Sequence, residues 1–163
     1  MRNCRSTQNV YRGAQINNSR SWLTDCVFDY NLAGVEIGGG SHGITNCTFD
    51  HNTHSGLGVS NATVSAYGDS KARNNDIWGC IVSRHGSIGF SGTGDFSNNV
   101  QNGMHVIRGG YVKFNPGYSG QMNGNGQYGL YARYNGFTEG HTLNTFSGNT
   151  LGDTYTNDGG ALY

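Results

Sequence analysis

Three observations on the 163-residue sequence predict an all-β fold, a right-handed parallel β-helix (a solenoid) of about five to six coils, each of roughly 21–26 residues. Glycine is abundant and proline nearly absent, apolar and polar residues alternate over short stretches, and an asparagine returns at near-regular intervals. Each has a physical meaning, and together they describe a chain that turns often and pairs its strands with the coil before.

Glycine supplies 28 of the 163 residues, well above the usual ~7%, and proline one. A collagen helix needs glycine at every third place and abundant proline, so it is excluded. Disorder is excluded as well, because disordered chains are poor in aromatics and rich in net charge. This chain has 10 Tyr, 7 Phe and 2 Trp, and its formal net charge is zero. Ten basic residues balance ten acidic ones without a basic run, which discounts nucleic-acid binding through clustered Lys and Arg. No stretch approaches the ~18 apolar residues of a membrane span, so no membrane insertion is expected. The opening MRNCRSTQNVYRGAQ has no apolar signal segment.

The repeat is clearest where Leu23-Thr24-Asp25-Cys26-Val27-Phe28-Asp29-Tyr30-Asn31 answers to Ile44-Thr45-Asn46-Cys47-Thr48-Phe49-Asp50-His51-Asn52, one period further along. Cys26 and Phe28, like Cys47 and Phe49, alternate with polar neighbours, the period of a strand with one buried face. Each unit then reaches a second alternating strand, Gly34-Val35-Glu36-Ile37 or Gly56-Leu57-Gly58-Val59. Looser copies run from Phe96 through Asn99 to Gly103-Met104-His105-Val106, and from Met122 through Asn125 to Gly129-Leu130-Tyr131-Ala132. Phe146-Ser147-Gly148-Asn149 comes last, and Asn75 followed by Ile77, Gly79 and Ile81 supplies the intermediate copy. Asn31, Asn52, Asn75, Asn99, Asn125 and Asn149 are then equivalent, at intervals of roughly 21–26 residues, the size of one solenoid repeat. An alternative register, with Cys80 and Val82 on the Cys-x-Phe strand, leaves only the stretch between His85 and Asn99, too short for a circuit of three strands.

In such a solenoid, equivalent residues stack in ladders at a rise of ~4.8 Å. Cys26 over Cys47 and Phe28 over Phe49 form an inward apolar ladder, and Asn31, Asn52, Asn99, Asn125 and Asn149 an amide ladder at one turn. Asparagine suits that turn because it hydrogen-bonds along the stack and tolerates left-handed backbone. A coil cannot bury its apolar face alone, so several are required. Residues 1–163 read as one β-helix segment of a longer chain. In it, 1–12 is irregular or a partial coil, 13–149 holds the repeated coils, and 150–163 starts a further coil. Such a piece is expected to depend on more chain or on other subunits for solubility.

The Cys-x-Phe-x-x-Asn and Gly-apolar-x-apolar units, covering roughly Gly13 to Asn149, resemble the pectate-lyase-like parallel β-helix repeats of pectate lyases, mannuronan epimerases and, most of all, bacteriophage tailspikes and tail fibres. The resemblance implies a glycan-recognising virion (tail) or extracellular protein. It implies a homotrimer that binds polysaccharide along a coil face or between subunits. It also leaves open a polysaccharide lyase, glycosidase or epimerase, and a structural spacer or filament segment. One solenoid hosts many activities, so the site must decide.

Candidate chemistry is sparse. Asp29 and Asp50 are equivalent in successive coils, and with His51, His54 and Arg84 they are the densest ionisable group. Two carboxylates ~5 Å apart suit a retaining glycosidase, stacked acids can also hold calcium, and turn aspartates need no special role. Asp29, Asp50 and His51 are the catalytic candidates, with Arg84, Arg108 or Lys113 as the base of a lyase. Cys4, Cys26, Cys47 and Cys80 show no zinc-type close pair, and Cys26 and Cys47 read as small buried hydrophobes. Calcium is the one cofactor left open. In Tyr128-Gly129-Leu130-Tyr131-Ala132-Arg133-Tyr134, alternation buries Leu130 and Ala132 and turns Tyr131 and Arg133 outward. Tyr128, Tyr131, Arg133 and Tyr134 are therefore the glycan-binding candidates: flat apolar rings rimmed with hydrogen-bonding groups suit sugars, and equally another subunit.

Overall fold

The computed structural model describes all residues 1–163. The chain runs through strands β1 (Arg5–Thr7), β2 (Arg12–Thr24), β3 (Val27–Asp29), β4 (Ala33–Thr45), β5 (Ser55–Ser60), β6 (Thr63–Lys71), β7 (Trp78–Ser83) and β8 (Ser87–Asp95). It continues through β9 (Asn102–Ile107), β10 (Tyr111–Phe114), β11 (Ser119–Gln121), β12 (Tyr128–Arg133), β13 (Phe137–Glu139), β14 (Asn144–Thr145), β15 (Gly152–Asn157) and β16 (Ala161–Leu162). A single 3-10 turn, His141–Leu143, is the only helical element.

Every strand pairing is parallel, and the partner lies one coil away, which is the pattern of a β-solenoid. Three faces result. Face A stacks the first halves of β2 and β4 with β5, β7, β9, β12 and β15. Face B stacks the second halves of β2 and β4 with β6, β8, β10, β13 and β16. Face C, the shortest, joins β1, β3, Thr48, the ends of β6 and β8, β11 and β14.

The predicted register is the observed one: Leu23 pairs with Ile44, and Val35 with Leu57. The inward columns of face A read Val35–Leu57–Cys80–Met104–Leu130 and Ile37–Val59–Val82–Val106–Ala132, all buried. In the third of these coils Cys80 and Val82 point inward and Ile81 outward, so the inward apolar pair of this copy is Cys80 and Val82 rather than Ile81, while Asn75 and Gly79 keep their places. Phe28 and Phe49 stack at 5.7 Å between centroids, with planes 8° apart. These residues belong to one cluster of 27 buried hydrophobic residues that runs from Leu23 to Ala132. Cys26 and Cys47 lie in it as free buried thiols, and burial pushes the Cys47 thiol up to about 11.

The asparagine ladder is the spine. The backbone N–H and side-chain Nδ2 of Asn52 both donate to Asn75 Oδ1 at 3.0 Å, those of Asn75 to Asn99 Oδ1 at 3.0 Å, and the pattern repeats to Asn149. It also extends below the expected start: Asn9 donates in the same way to Asn31 Oδ1. The solenoid therefore has about seven turns rather than five to six. Residues 1–12 form part of the first, with β1 pairing β3. This coil escapes the periodicity because Ser6 stands where Phe28 stands in the next. Residues 150–163 continue the last coil as β15 and β16.

The ladder asparagines are not themselves left-handed; the residue before each one takes that conformation. Tyr30, His51, Asn74 and Asn98 have φ of 56°, 56°, 54° and 58°, followed by Gly124 at 62° and Gly148 at 64°. Immediately across the turn a glycine column reads Gly34, Gly56, Gly79, Gly103, Gly129. A Cβ on Gly79 would lie 2.6 Å from the Gly103 carbonyl and 2.8 Å from Asn99 Nδ2, so the ladder and a side chain cannot share this corner.

Candidate functional site

Outward positions on face A form two columns, Gln15–Glu36–Gly58–Ile81–His105–Tyr131–Tyr155 and Asn17–Gly38–Ser60–Ser83–Ile107–Arg133–Asn157. Side chains vanish at Gly38 and Gly58 and shrink at Ser60 and Ser83, while large residues stand on either side. The result is an open groove of about 620 Å³. Its lower end carries Arg12 ion-paired to Glu36. Trp78 and Ile81 line its wall, and Arg84, Arg108 and Arg133, from successive coils, line it as well.

An unbroken run of rings climbs from that wall. His54 meets Trp78 edge-on at 5.2 Å, Trp78 meets His105 at 5.1 Å, and His105 stacks on Tyr131 at 5.0 Å with planes 3° apart. Tyr131, Tyr128 and Tyr155 then cluster at 4.9–5.4 Å. The Arg133 guanidinium lies over two rings, 5.2 Å from Tyr131 and 4.8 Å from Tyr134, a cation–π arrangement. Leu130 and Ala132 are buried as expected, and Tyr128, Tyr131, Arg133 and Tyr134 gather on this one face, Tyr134 at a left-handed corner with φ 50°. His105 is buried at 3% exposure, and neither ring nitrogen has a hydrogen-bond partner. Burial first, and the Arg133 charge second, hold its imidazole down to about 4, so it is neutral at pH 7.

Charge is distributed unevenly. Arg5, Arg12, Lys71, Arg73 and Lys113 each have a carboxylate partner. Of the other five basic side chains, Arg84, Arg108 and Arg133 share this groove, whose one acid, Glu36, is taken by Arg12.

Asp29, Asp50 and His51 lie elsewhere, at the corner between face C and the asparagine turn. Arg5 Nη2 reaches Asp29 Oδ2 at 2.5 Å, and Arg73 Nη2 reaches Asp50 Oδ2 at 2.7 Å. Burial works to raise the Asp29 carboxyl, but hydrogen bonds from Arg5 and Thr7, with the Arg5 charge, outweigh it and hold it below the usual range. Asp50 also accepts from the Arg73 backbone N–H at 2.8 Å. Each carboxylate is thus neutralised by its own guanidinium. His51 is exposed in its left-handed turn and stacks on Tyr30 at 4.9 Å. No group of three or more His, Cys, Asp or Glu converges on a point where a metal ion could sit. Lys113 is on face B, bound to Glu139 at 2.8 Å, and Tyr111 donates to the same carboxylate at 2.6 Å. A second, wholly polar cleft of about 570 Å³ on face C holds Asp69, Lys71, Arg73 and Asp95, whose charges already satisfy one another.

Sequence reasoning passed over Trp78, named His105 only as part of a strand, and grouped His54 and Arg84 with Asp29 and Asp50, whereas the structure places both in this groove. A signal was present: an outward glycine at Gly58 between Glu36 and Ile81 breaks the alternation of large outward residues and marks a dip in the face. Compared with known protein families, with curated proteins and with solved structures, the chain matches none.

Proposed function

We propose that this chain is a glycan-recognising β-helix segment of a virion or cell-surface protein, of the phage tailspike or tail-fibre type, and that face A holds the saccharide. The observation that carries the reading is the continuous run of rings from His54 to Tyr155 leading into an open groove floored by serine and glycine. Pyranose rings bind on flat apolar faces bordered by hydrogen-bonding groups, and this face offers both along one axis. The repeat units Cys-x-Phe-x-x-Asn support the same assignment by resemblance. A homotrimer, with glycan lying along or between subunits, belongs to this proposal.

The test is a glycan array on the purified chain, with light scattering on the same sample. Retention of a defined set of glycans, lost on Trp78→Ala and Tyr131→Ala but kept by a face-B variant such as Tyr67→Ala, supports the reading. Retention of no glycan by a folded sample refutes it.

One observation favours a structural segment instead. Trp22 and Tyr67 on face B are 49% and 43% exposed, with near-parallel rings 6.4 Å apart, a flat apolar patch suited to another copy of the chain. Association that persists in the glycan-binding variants and disappears on Trp22→Ala distinguishes this role. The enzyme alternative rests on Asp29, Asp50 and His51, or on Arg84, Arg108 or Lys113 as the base of a lyase; the pairing of Asp29 with Arg5, Asp50 with Arg73 and Lys113 with Glu139 weighs against those acids and that base.

A further inference from the structure

We infer that the ligand of the face-A groove is an acidic glycan, whose carboxylate or sulfate groups are taken by Arg84 and Arg108 with Arg133 beside them. This inference rests on the glycan-binding reading and names its substrate class.

The first ground is charge. The chain is neutral as a whole, yet three of its five carboxylate-free cations line one groove. With Arg12 and Glu36 cancelling, Arg84, Arg108 and Arg133 leave an uncompensated positive site. Open clefts of one sign concentrate counter-charged ligands.

The second ground is position. Arg84 and Arg108 occupy equivalent corners of successive coils, about 4.8 Å apart along the axis. The same corner is held by Asn18, Gly39 and Asn61 in the coils below, all with positive φ. Arg84 and Arg108 adopt φ of 50° and 52° there. Asparagine and glycine enter that conformation at less cost than arginine. Two arginines stacked one coil apart also repel each other. Tyr134 and Asp158 hold the same corner above with φ of 50° and 49°, so the conformation belongs to the corner; the repulsion belongs to the arginines, no ion pair within the chain relieves it, and an anion between the two guanidinium groups would. Guanidinium forks match the paired oxygens of carboxylate and sulfate.

The third ground is the neighbourhood. Arg133 Nε is shielded from solvent and has no hydrogen-bond partner, although its guanidinium is seated on Tyr131 and Tyr134. Its donors are held in place and not consumed by the protein. Trp78 offers the ring of the sugar an apolar surface at the same opening.

The experiment compares three polymers by titration calorimetry at low and at high salt: dextran as the neutral probe, hyaluronan oligomers carrying carboxylate, and dextran sulfate. The expected result is binding of one or both acidic polymers at least about tenfold tighter than dextran, weakening as salt rises. Arg84→Gln and Arg108→Gln should each weaken the acidic ligand by about tenfold and leave thermal unfolding in place. Arg20→Gln, a carboxylate-free arginine outside the groove, should change nothing. The hyaluronan and dextran sulfate arms separate a carboxylate ligand from a sulfated one. Dextran bound as well as the acidic polymers overturns this inference and leaves glycan recognition standing. Acidic binding that survives both arginine variants overturns it as well. No binding to any of the three, together with an empty array, removes both readings.

Discussion

Replacing Asn75 with alanine tests the asparagine spine at its centre. The Asn75 side chain donates to Phe49 O at 3.1 Å and Asn99 Oδ1 at 3.0 Å, and its own Oδ1 accepts from the backbone N–H and the Nδ2 of Asn52, both at 3.0 Å. Not all of these losses are equal. Asn52 Nδ2 keeps Phe28 O and Asp50 O as acceptors, and Asn99 Oδ1 keeps the Asn75 backbone N–H. The Asn52 backbone N–H keeps nothing, and Asn52 is buried at 0% exposure. An orphaned buried donor costs about 1–3 kcal/mol and each net bond about 1 kcal/mol, so Asn75→Ala should cost about 3–5 kcal/mol. Asn149→Ala removes an equal number of bonds and frees the N–H of Asn125, which is also buried, but Asn149 is half-buried, so water can enter where its side chain stood and the cost should be about 1 kcal/mol. Urea unfolding followed by circular dichroism, with slopes compared as well as midpoints, measures both. Costs that agree within about 0.5 kcal/mol would refute the claim that burial of the ladder, rather than its number of bonds, sets its worth.

Three further outcomes follow from groups already described. Burial holds His105 near 4 in the fold against 6.5 unfolded, so between these values the unfolded chain carries a proton that the fold does not. Its contribution is complete above pH 6.5 and is lost as pH falls toward 4, on the order of 3 kcal/mol, and His105→Phe should flatten that slope in acid unfolding curves. Under native conditions a thiol reagent should label Cys4 rapidly and Cys26, Cys47 and Cys80 only at the rate of unfolding, since the first is exposed and the rest buried; mass spectrometry that found Cys80 modified early would contradict the packing. Gly43 lies directly beneath the Trp22 indole, so Gly43→Ala should lift that ring off face B and shift its fluorescence, whereas an unchanged spectrum would mean the ring does not lie there.

What could be read in advance was whatever recurs at a fixed interval. The Leu23–Asn31 and Ile44–Asn52 units share residue types at buried positions because stacked coils impose the same environment on each. Where that environment is met by other means, the pattern fades. Ser6 and Asn9 complete a first coil without the Cys-x-Phe signature, and Gly79-Cys80-Ile81-Val82 hides its phase because all three residues after the glycine are apolar. Ladders are set by neighbours one coil away, so they show in sequence; a groove is set by side chains absent from two columns at once, and Gly38 and Gly58 mark it only after the register is known. Asp29 and Asp50 are legible as equivalent but not as occupied, because Arg5 and Arg73 approach from the coils below and above.

The asparagine spine also has a direction. In each rung the oxygen faces the preceding coil and the N–H groups face the next, so the amide dipoles align head to tail, each polarising the next as in a helix. Partial positive charge accumulates toward the coil of Asn149. There the Asn149 Nδ2 group donates to the Asp153 carboxylate at 3.1 Å. An acid in that place terminates the column as a carboxylate terminates a helix, which makes Asp153 an electrostatic cap for a structure that contains no α-helix.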